Sequence, residues 1–167
     1  MSDAVTRLKS LKVADVMSRH VVQINEHRTM AEAAGQFLEH GISGAPVVND
    51  QEECVGILSA MDFVQREVIE TKDDGVSPGE SEHRLNSQPP DVPFRIVSMP
   101  DDPVRSHMST TIYSVPPEMS LLEAAQLMSL RHLHRLPVLN LQRQPVGLIT
   151  SMDVVAALLT AMEEMEQ

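Results

Sequence analysis

The sequence has no long hydrophobic run. Its most apolar stretches, such as Val154–Leu159, extend over only a few residues, whereas a helix needs roughly 20 apolar residues to cross a bilayer. Residues 1–12 carry charged side chains and no apolar stretch, so they lack the pattern of a secretory signal. We therefore expect a soluble, cytoplasmic, globular protein without a membrane segment.

Cysteine, aromatic and basic residues are all scarce. The single cysteine, Cys54, excludes an intramolecular disulfide framework and a CxxC zinc site. Three Phe, one Tyr and no Trp are too few to build a stacking platform for single-stranded bases. Lys and Arg number 13 against 24 Asp and Glu, and the net charge of -11 argues against binding to a nucleic-acid backbone. The 42% hydrophobic content must therefore supply an aliphatic, methionine-rich core.

The chain repeats itself, without gaps, at an offset of 91 residues. Residues 13–66 align with residues 104–157, and apolar residues also agree in class between the identities. The identical positions include Met17/Met108, Ser18/Ser109, Glu32-Ala33-Ala34/Glu123-Ala124-Ala125, Pro46-Val47/Pro137-Val138, Val55-Gly56/Val146-Gly147 and Met61-Asp62/Met152-Asp153. This clustering indicates a duplicated unit.

Each copy has the hydrophobic periodicity of a βαββα unit. A short β-rich run, Val21–Ile24 or Ile112–Val115, precedes an amphipathic helix. Two apolar runs separated by a polar turn then predict a hairpin, and a second helix begins near Met61 or Met152. The hairpin strands are predicted at Ala45–Val48 and Cys54–Leu58 in the first copy, and at Leu136–Leu139 and Val146–Ile149 in the second.

We expect three regions in an α/β fold of the α+β type. Residues 1–70 form the first unit with an N-terminal helix, residues 71–100 a linker, and residues 101–167 the second unit with a C-terminal helix. The linker is rich in proline and glycine, which predicts irregular structure. Its one apolar patch, Phe94–Val97, could add a strand or pack over the second unit.

Both copies carry the pattern Gly-h-h-Ser/Thr-x-x-Asp, where h is apolar, at the junction of a strand and a helix. Ser59 and Asp62 hold the polar positions in the first copy, and Thr150 and Asp153 hold them in the second. One interpretation is a capping box that satisfies the free amides of the helix start. The other is a ligand site, because those amides attract an anion and a carboxylate can accept from the two hydroxyls of a ribose. Both interpretations can hold together.

A basic motif enters the first hairpin strand of the second copy. In the sequence His132-Leu133-His134-Arg135-Leu136-Pro137, strand alternation sets Arg135 on the face opposite His134 and Leu136. Arg135 could then direct its guanidinium at a phosphate. The alternative is a solvated arginine beside two packed histidines. The first copy has Gly44 at the corresponding position.

Five features together resemble a tandem pair of CBS domains, the Bateman module. They are the repeated unit, the Met-Ser before its first strand, the Glu-Ala-Ala helix start, the Pro-Val strand and the Gly-h-h-Ser/Thr-x-x-Asp ending. The resemblance covers about 110 residues. It implies two units packed about a pseudo-twofold axis, with two clefts for adenosine-containing ligands such as AMP, ADP, ATP or S-adenosylmethionine. It also implies self-association, and we expect a homodimer of such pairs.

The resemblance further implies roles for individual residues. Asp62 and Asp153 would bind ribose hydroxyls, with Ser59 and Thr150 contacting phosphate or ribose. Backbone groups of the opposite unit would hold adenine, and Arg135, beside His134, would contact phosphate in the cleft closed by Asp153. The first unit departs from this pattern at Gly44, so we expect unequal clefts. The adenine-contacting segments are Ser18, His20 and Val22 for the Asp153 cleft, and Ser109, Thr111 and Tyr113 for the Asp62 cleft.

No catalytic or metal-binding motif stands out. The sequence contains no GxxxxGKS/T loop, no HExxH and no GxSxG element, and its seven histidines are scattered. We therefore expect a regulatory module that is not an enzyme and requires no cofactor, and that signals ligand binding to a separate target protein by changing conformation. The competing hypothesis is a protein interaction or dimerisation module with empty clefts, whose aspartates only cap helices. The helical tail Val154–Met165 is a candidate self-association surface or simply part of the core.

Overall fold

The computed structural model describes residues 3–63 and 102–163. The expected linker, the patch Phe94–Val97, and the positions Val64 and Val68 of the helix that begins near Met61 lie outside the described residues. The first unit contains α1 (Asp3–Ser10), α2 (Val13–Val16), β1 (Ile24–Asn25), α3 (Met30–His40), β2 (Gly44–Val48) and β3 (Cys54–Ser59). The second contains a short 3₁₀ helix (Val104–Ser106), α4 (Leu121–Arg131), β4 (Arg135–Leu139), β5 (Pro145–Thr150) and α5 (Ser151–Glu163). Residues 60–63 are also helical.

The same local signals bound the corresponding helices α3 and α4. Each begins with a complete capping box, Thr29 with Glu32 in α3 and Ser120 with Glu123 in α4. Each ends on a residue with left-handed backbone, Gly41 at φ 61° and His132 at φ 54°. Glycine adopts this conformation without steric cost, whereas His132 does so against the clash of its Cβ.

Each unit contains one small sheet, and each sheet contains the predicted hairpin. Strand β2 pairs with β3 antiparallel, and β4 pairs with β5 in the equivalent register. In the first unit β1 adds to β2 in parallel through Ile24 and Asn25, and in the second unit Val115 makes a single parallel bridge with Val138. The predicted first strands are therefore too long. Beyond these residues, the predicted runs pair with no described strand.

The two units exchange the segments that precede their first strands. Residues 12–18 dock on the second unit, where Ser18 pairs with Leu148, and residues 103–109 dock on the first, where Ser109 pairs with Ile57. These pairs correspond under the 91-residue repeat. The exchange is reciprocal, so the units are related by a pseudo-twofold arrangement and their association does not depend on side chains alone.

The hydrophobic cores follow this exchange. Val13 and Met17 are buried in the core of the second unit, whereas Val104 is buried in the core of the first. The side chains are mainly aliphatic and methionine, as expected, although Phe37 and Phe63 form an edge-to-face pair with centroids 5.4 Å apart. Each core therefore depends on residues from both halves of the chain.

Gly56 and Gly147 make the exchange possible. A Cβ at Gly56 would collide with the Met108 side chain and lie 3.0 Å from the Ser109 carbonyl oxygen. A Cβ at Gly147 would collide with Met17 in the same way. The glycine of the repeated motif thus lets the exchanged segment of the other unit pack directly on the strand.

Candidate functional site

A cleft of about 590 Å³ opens between the two units. The first unit contributes the start of β2, the end of β3 at Ser59, and the first helical residues after it. The second contributes Ser109, Thr111, Tyr113 and the start of β4. A molecule of nucleotide size would therefore contact both copies of the repeat.

Ser59 and Asp62 form a capped helix start at the edge of this cleft. The Ser59 amide and hydroxyl donate to Asp62 Oδ2 at 2.6 and 2.8 Å. In the described part of the chain, Oδ1 of this half-buried carboxylate has no hydrogen-bond partner. Asp62 therefore caps the Ser59 amide, which is one half of a capping box, and one carboxylate oxygen is left for a further donor.

Thr150 and Asp153 repeat this arrangement in the second unit. The Thr150 amide and hydroxyl donate to Asp153 Oδ2 at 2.7 and 2.8 Å, and the Asp153 amide approaches Thr150 Oγ1 at 3.2 Å. Asp153 Oδ1, too, is without a partner among residues 3–63 and 102–163. The two aspartates are thus equivalent in geometry.

Unpaired backbone of the second unit lines the same cleft as Ser59. Ser109 exchanges two hydrogen bonds of 2.9 Å with Ile57. Beyond it, the amides and carbonyls of residues 110–114 make no hydrogen bond to any other described residue. Because Thr111 and Tyr113 line the cleft, this segment can offer both donors and acceptors to the edge of a flat heterocycle.

The corresponding segment in the first unit begins at Ser18. The Ser18 amide and carbonyl bond to Leu148 at 2.9 Å in both directions, and its hydroxyl donates to the His20 carbonyl at 3.4 Å. His20 is exposed, whereas the Val22 side chain packs against the core of the first unit. This segment therefore borders the second unit, on the side of β5 that leads to Thr150.

Arg135 lines the cleft of Ser59, whereas the resemblance assigned it to the cleft closed by Asp153. Its Nη2 donates to Ser43 Oγ of the first unit at 2.7 Å, and it lines the 590 Å³ cleft together with His134. Arg135 is next to Thr150 only through the backbone pairing of β4 with β5. Its side chain crosses the interface to the first unit. The alternative interpretation, a solvated arginine beside two packed histidines, is wrong about the histidines, because His132 and His134 are both exposed.

Sequence reasoning missed Ser43 as a site residue, and it noted Gly44 only as the position without an arginine. Gly44 is buried beneath Arg135, and a Cβ there would lie 3.0 Å from Arg135 Nη1. A Ser-Gly pair before a strand is typical of an ordinary turn, so no local signal distinguishes it. Only the 91-residue alignment with His134 and Arg135 could have drawn attention to the pair.

Other chemistry is limited in the described regions. Among residues 3–63 and 102–163 no three His, Cys, Asp or Glu side chains are grouped to hold a metal ion. Cys54 is fully buried, and burial raises the pKa of its thiol above the ordinary value. No helix in these residues is long and apolar enough to span a membrane.

Comparison with known families agrees with the duplicated architecture. The CBS domain family matches residues 13–68 and 104–160. The chain belongs to the CBS domain family. An uncharacterized protein of Methanocaldococcus jannaschii is 28% identical, over 88% of this chain and 90% of its own length. An uncharacterized protein of Methanopyrus kandleri is 26% identical over 89% of this chain, which spans only 63% of that relative.

Solved CBS domain pairs share the fold. The structure of CBSX2 in complex with AMP has a TM-score of 0.67 and 21% identity, and the match covers 90% of this chain and 98% of that one. A CBS domain pair in complex with 5′-methylthioadenosine and S-adenosyl-L-methionine has a TM-score of 0.66 and 18% identity, covering 91% and 98%. The mixed helix and strand arrangement described above is therefore that of a CBS pair.

Proposed function

We propose that this CBS pair is a regulatory module that binds AMP, ADP, ATP or S-adenosylmethionine and reports the bound state to a partner protein. One observation carries the proposal: Ser59, at a helix start capped by Asp62, lines one cleft together with unpaired backbone of the other unit. The adenosine-containing ligands of the two similar structures support it. The cleft volume also suits a nucleotide.

In this proposal each group recognises a different part of the ligand. Asp62 Oδ1 accepts from the ribose hydroxyls while Oδ2 keeps the helix capped, and Ser59 contacts ribose or phosphate. The backbone of Ser109, Thr111 and Tyr113 holds adenine. Arg135, beside His134, binds phosphate in this same cleft.

The second proposed site uses the equivalent groups without an arginine. Asp153 and Thr150 would hold ribose or phosphate, and Ser18, His20 and Val22 would contact adenine through their backbone. Because Gly44 stands at the position of Arg135, this site would favour phosphate less strongly. Unequal occupancy is the expected consequence.

Signalling would follow from the position of the cleft. A ligand that bridges the units ties the segment of residues 109–113 to the helix start at Asp62, which changes the orientation or rigidity of the pair. We further propose that the module acts in the cytoplasm as a homodimer, through the apolar face of α5. On this face Met152, Val155, Leu158, Leu159 and Met162 are between 43% and 69% exposed.

A second candidate function is a ligand-free interaction or dimerisation module. Two observations favour it: the capping bonds account for Ser59 and Asp62 without a ligand, and the exposed face of α5 is suited to a protein contact. In that case the clefts remain empty, and binding to a partner does not depend on nucleotide.

Calorimetric titration of nucleotide-stripped protein tests the proposal directly. AMP, ADP, ATP and S-adenosylmethionine are titrated in turn, after mass spectrometry has shown what copurifies. Asp62→Asn should weaken binding by roughly tenfold or more, because a charged acceptor of the ribose hydroxyls is lost. Glu123→Gln is the matched control, since Glu123 caps α4 in the same way and should leave affinity unchanged.

Two results would contradict the nucleotide hypothesis. If no ligand produces heat and none copurifies, the empty interaction module is the better description. If Asp62→Asn and Glu123→Gln weaken binding equally, Asp62 acts only through helix stability, and the ribose assignment is wrong.

A further inference from the structure

Two residues of the first unit hold the Arg135 side chain in a defined position. Ser43 Oγ accepts a 2.7 Å hydrogen bond from Nη2, while Nη1 lies over the backbone of Gly44, 3.0 Å from where a Cβ would stand. Ser43 also holds the helix start beside the cleft, because its carbonyl accepts the Ala60 amide at 3.1 Å. The guanidinium is thus hydrogen-bonded to the first unit, on the side of the cleft opposite its own strand.

This position leaves most of the guanidinium available. Of its five N–H donors, only the one to Ser43 is used by a described residue, and no described acidic side chain forms an ion pair with it. A positioned cation with free donors attracts a phosphate and repels a sulfonium cation. Fixing the long side chain in advance also removes part of the entropy cost of binding.

We propose that Ser43 and Gly44 are positioning residues that hold Arg135 and thereby make the cleft select phosphate-bearing adenosine ligands over S-adenosylmethionine. This inference rests on the proposed nucleotide function and narrows its ligand class. Ser43 acts by a hydrogen bond and Gly44 by the absence of a side chain. Neither residue needs to touch the ligand.

Binding measurements with two small substitutions test the proposal. Ser43→Ala removes the acceptor and should weaken AMP binding about threefold, the effect of one ordinary hydrogen bond. Gly44→Ala should weaken it by about tenfold, because the new Cβ displaces the guanidinium. The affinity for adenosine, which has no phosphate, should change less than twofold in either variant, and the preference for AMP over S-adenosylmethionine should fall.

Matched controls separate positioning from general damage. Ser129→Ala removes an exposed hydroxyl from α4, and Gly35→Ala adds a Cβ that meets nothing within 4 Å; both should bind AMP like the parent. In an Arg135→Ala background, Ser43→Ala and Gly44→Ala should have no further effect on AMP affinity, since the residue that they position is gone. Equal losses for AMP and adenosine, or additive losses in that background, would overturn the proposal.

A measurement without ligand distinguishes this inference from the proposed function. Nitrogen-15 relaxation of the Arg135 side chain should report a restricted Nε–H group in the parent and a more mobile one in Ser43→Ala. If the parent binds none of AMP, adenosine and S-adenosylmethionine, the proposed function fails and ligand selection fails with it, whatever the relaxation shows. If the parent binds AMP but Arg135 is equally mobile in both proteins, only the positioning role is refuted.

Discussion

The exchange of segments between the units predicts that Val13 stabilises the half of the molecule to which it does not belong in sequence. Val13 has no exposed surface and packs in the core of the second unit. Val13→Ala removes two buried carbons, each worth about 0.8 kcal/mol in transfer free energy. The cavity that remains adds a further penalty. We expect the free energy of unfolding to fall by about 2 to 3 kcal/mol.

Urea denaturation combined with hydrogen exchange can locate this loss. Amide protection should fall first in β4 and β5, which form the sheet over this core. Leu130→Ala is the control, because Leu130 lies on α4 and is 74% exposed; its effect should stay within about 0.5 kcal/mol. The exchanged packing would be refuted if Val13→Ala lowered the free energy of unfolding by no more than about 0.5 kcal/mol, or if the loss of protection were confined to β2 and β3.

Two further predictions concern helix ends. Gly41→Ala should destabilise the protein by about 1 kcal/mol in urea titration, because Gly41 has φ 61°, whereas His132→Gly at the equivalent position should stabilise it; an unchanged unfolding midpoint in both variants would contradict the backbone argument. The hydroxyl and amide of Ser120 lower the pKa of the Glu123 carboxyl, so this contact stabilises the fold above the ordinary carboxyl pKa and is lost as the pH falls through the lowered one. Ser120→Ala should raise the Glu123 pKa in an NMR titration, and an unmoved titration curve would show that the hydroxyl is not its cause.

Local signals predicted the hairpins and the paired helices well. The apolar runs around Pro46 and Pro137 became β2 and β4, and the Glu-Ala-Ala helix starts proved to be capping boxes. These elements are fixed by periodicity and by contacts within four residues. Their boundaries could therefore be found without knowing the tertiary structure.

The exchanged segments could not be predicted in this way. Met17 belongs to the first unit in sequence, yet its side chain packs against Gly147 of the second unit. A repeat shows that two segments are equivalent, but it does not show which copy each one contacts. The predicted first strands were too long because residues 110–114, of which Thr111 and Tyr113 line the cleft, pair with no described strand.

The contact of Arg135 with the first unit was not predicted, because sequence neighbours and spatial neighbours differ at this interface. The arginine is next to Thr150 in the sheet register, which favours the Asp153 cleft. Its side chain is long enough to cross to Ser43, where it lines the other cleft. By contrast, the Ser59 and Asp62 pair was placed correctly at a strand and helix junction, because both residues belong to one short motif.

The asymmetry at Gly44 follows from the same crossing. The repeat aligns Gly44 with Arg135, and the two residues meet across the interface. A second arginine at position 44 would place its Cβ 3.0 Å from Nη1 of the first guanidinium, which would have to shift. It would also bring two positive charges close together. In this packing the duplicated units can place one arginine where equivalent positions meet, and the unequal clefts that we propose would follow from that contact.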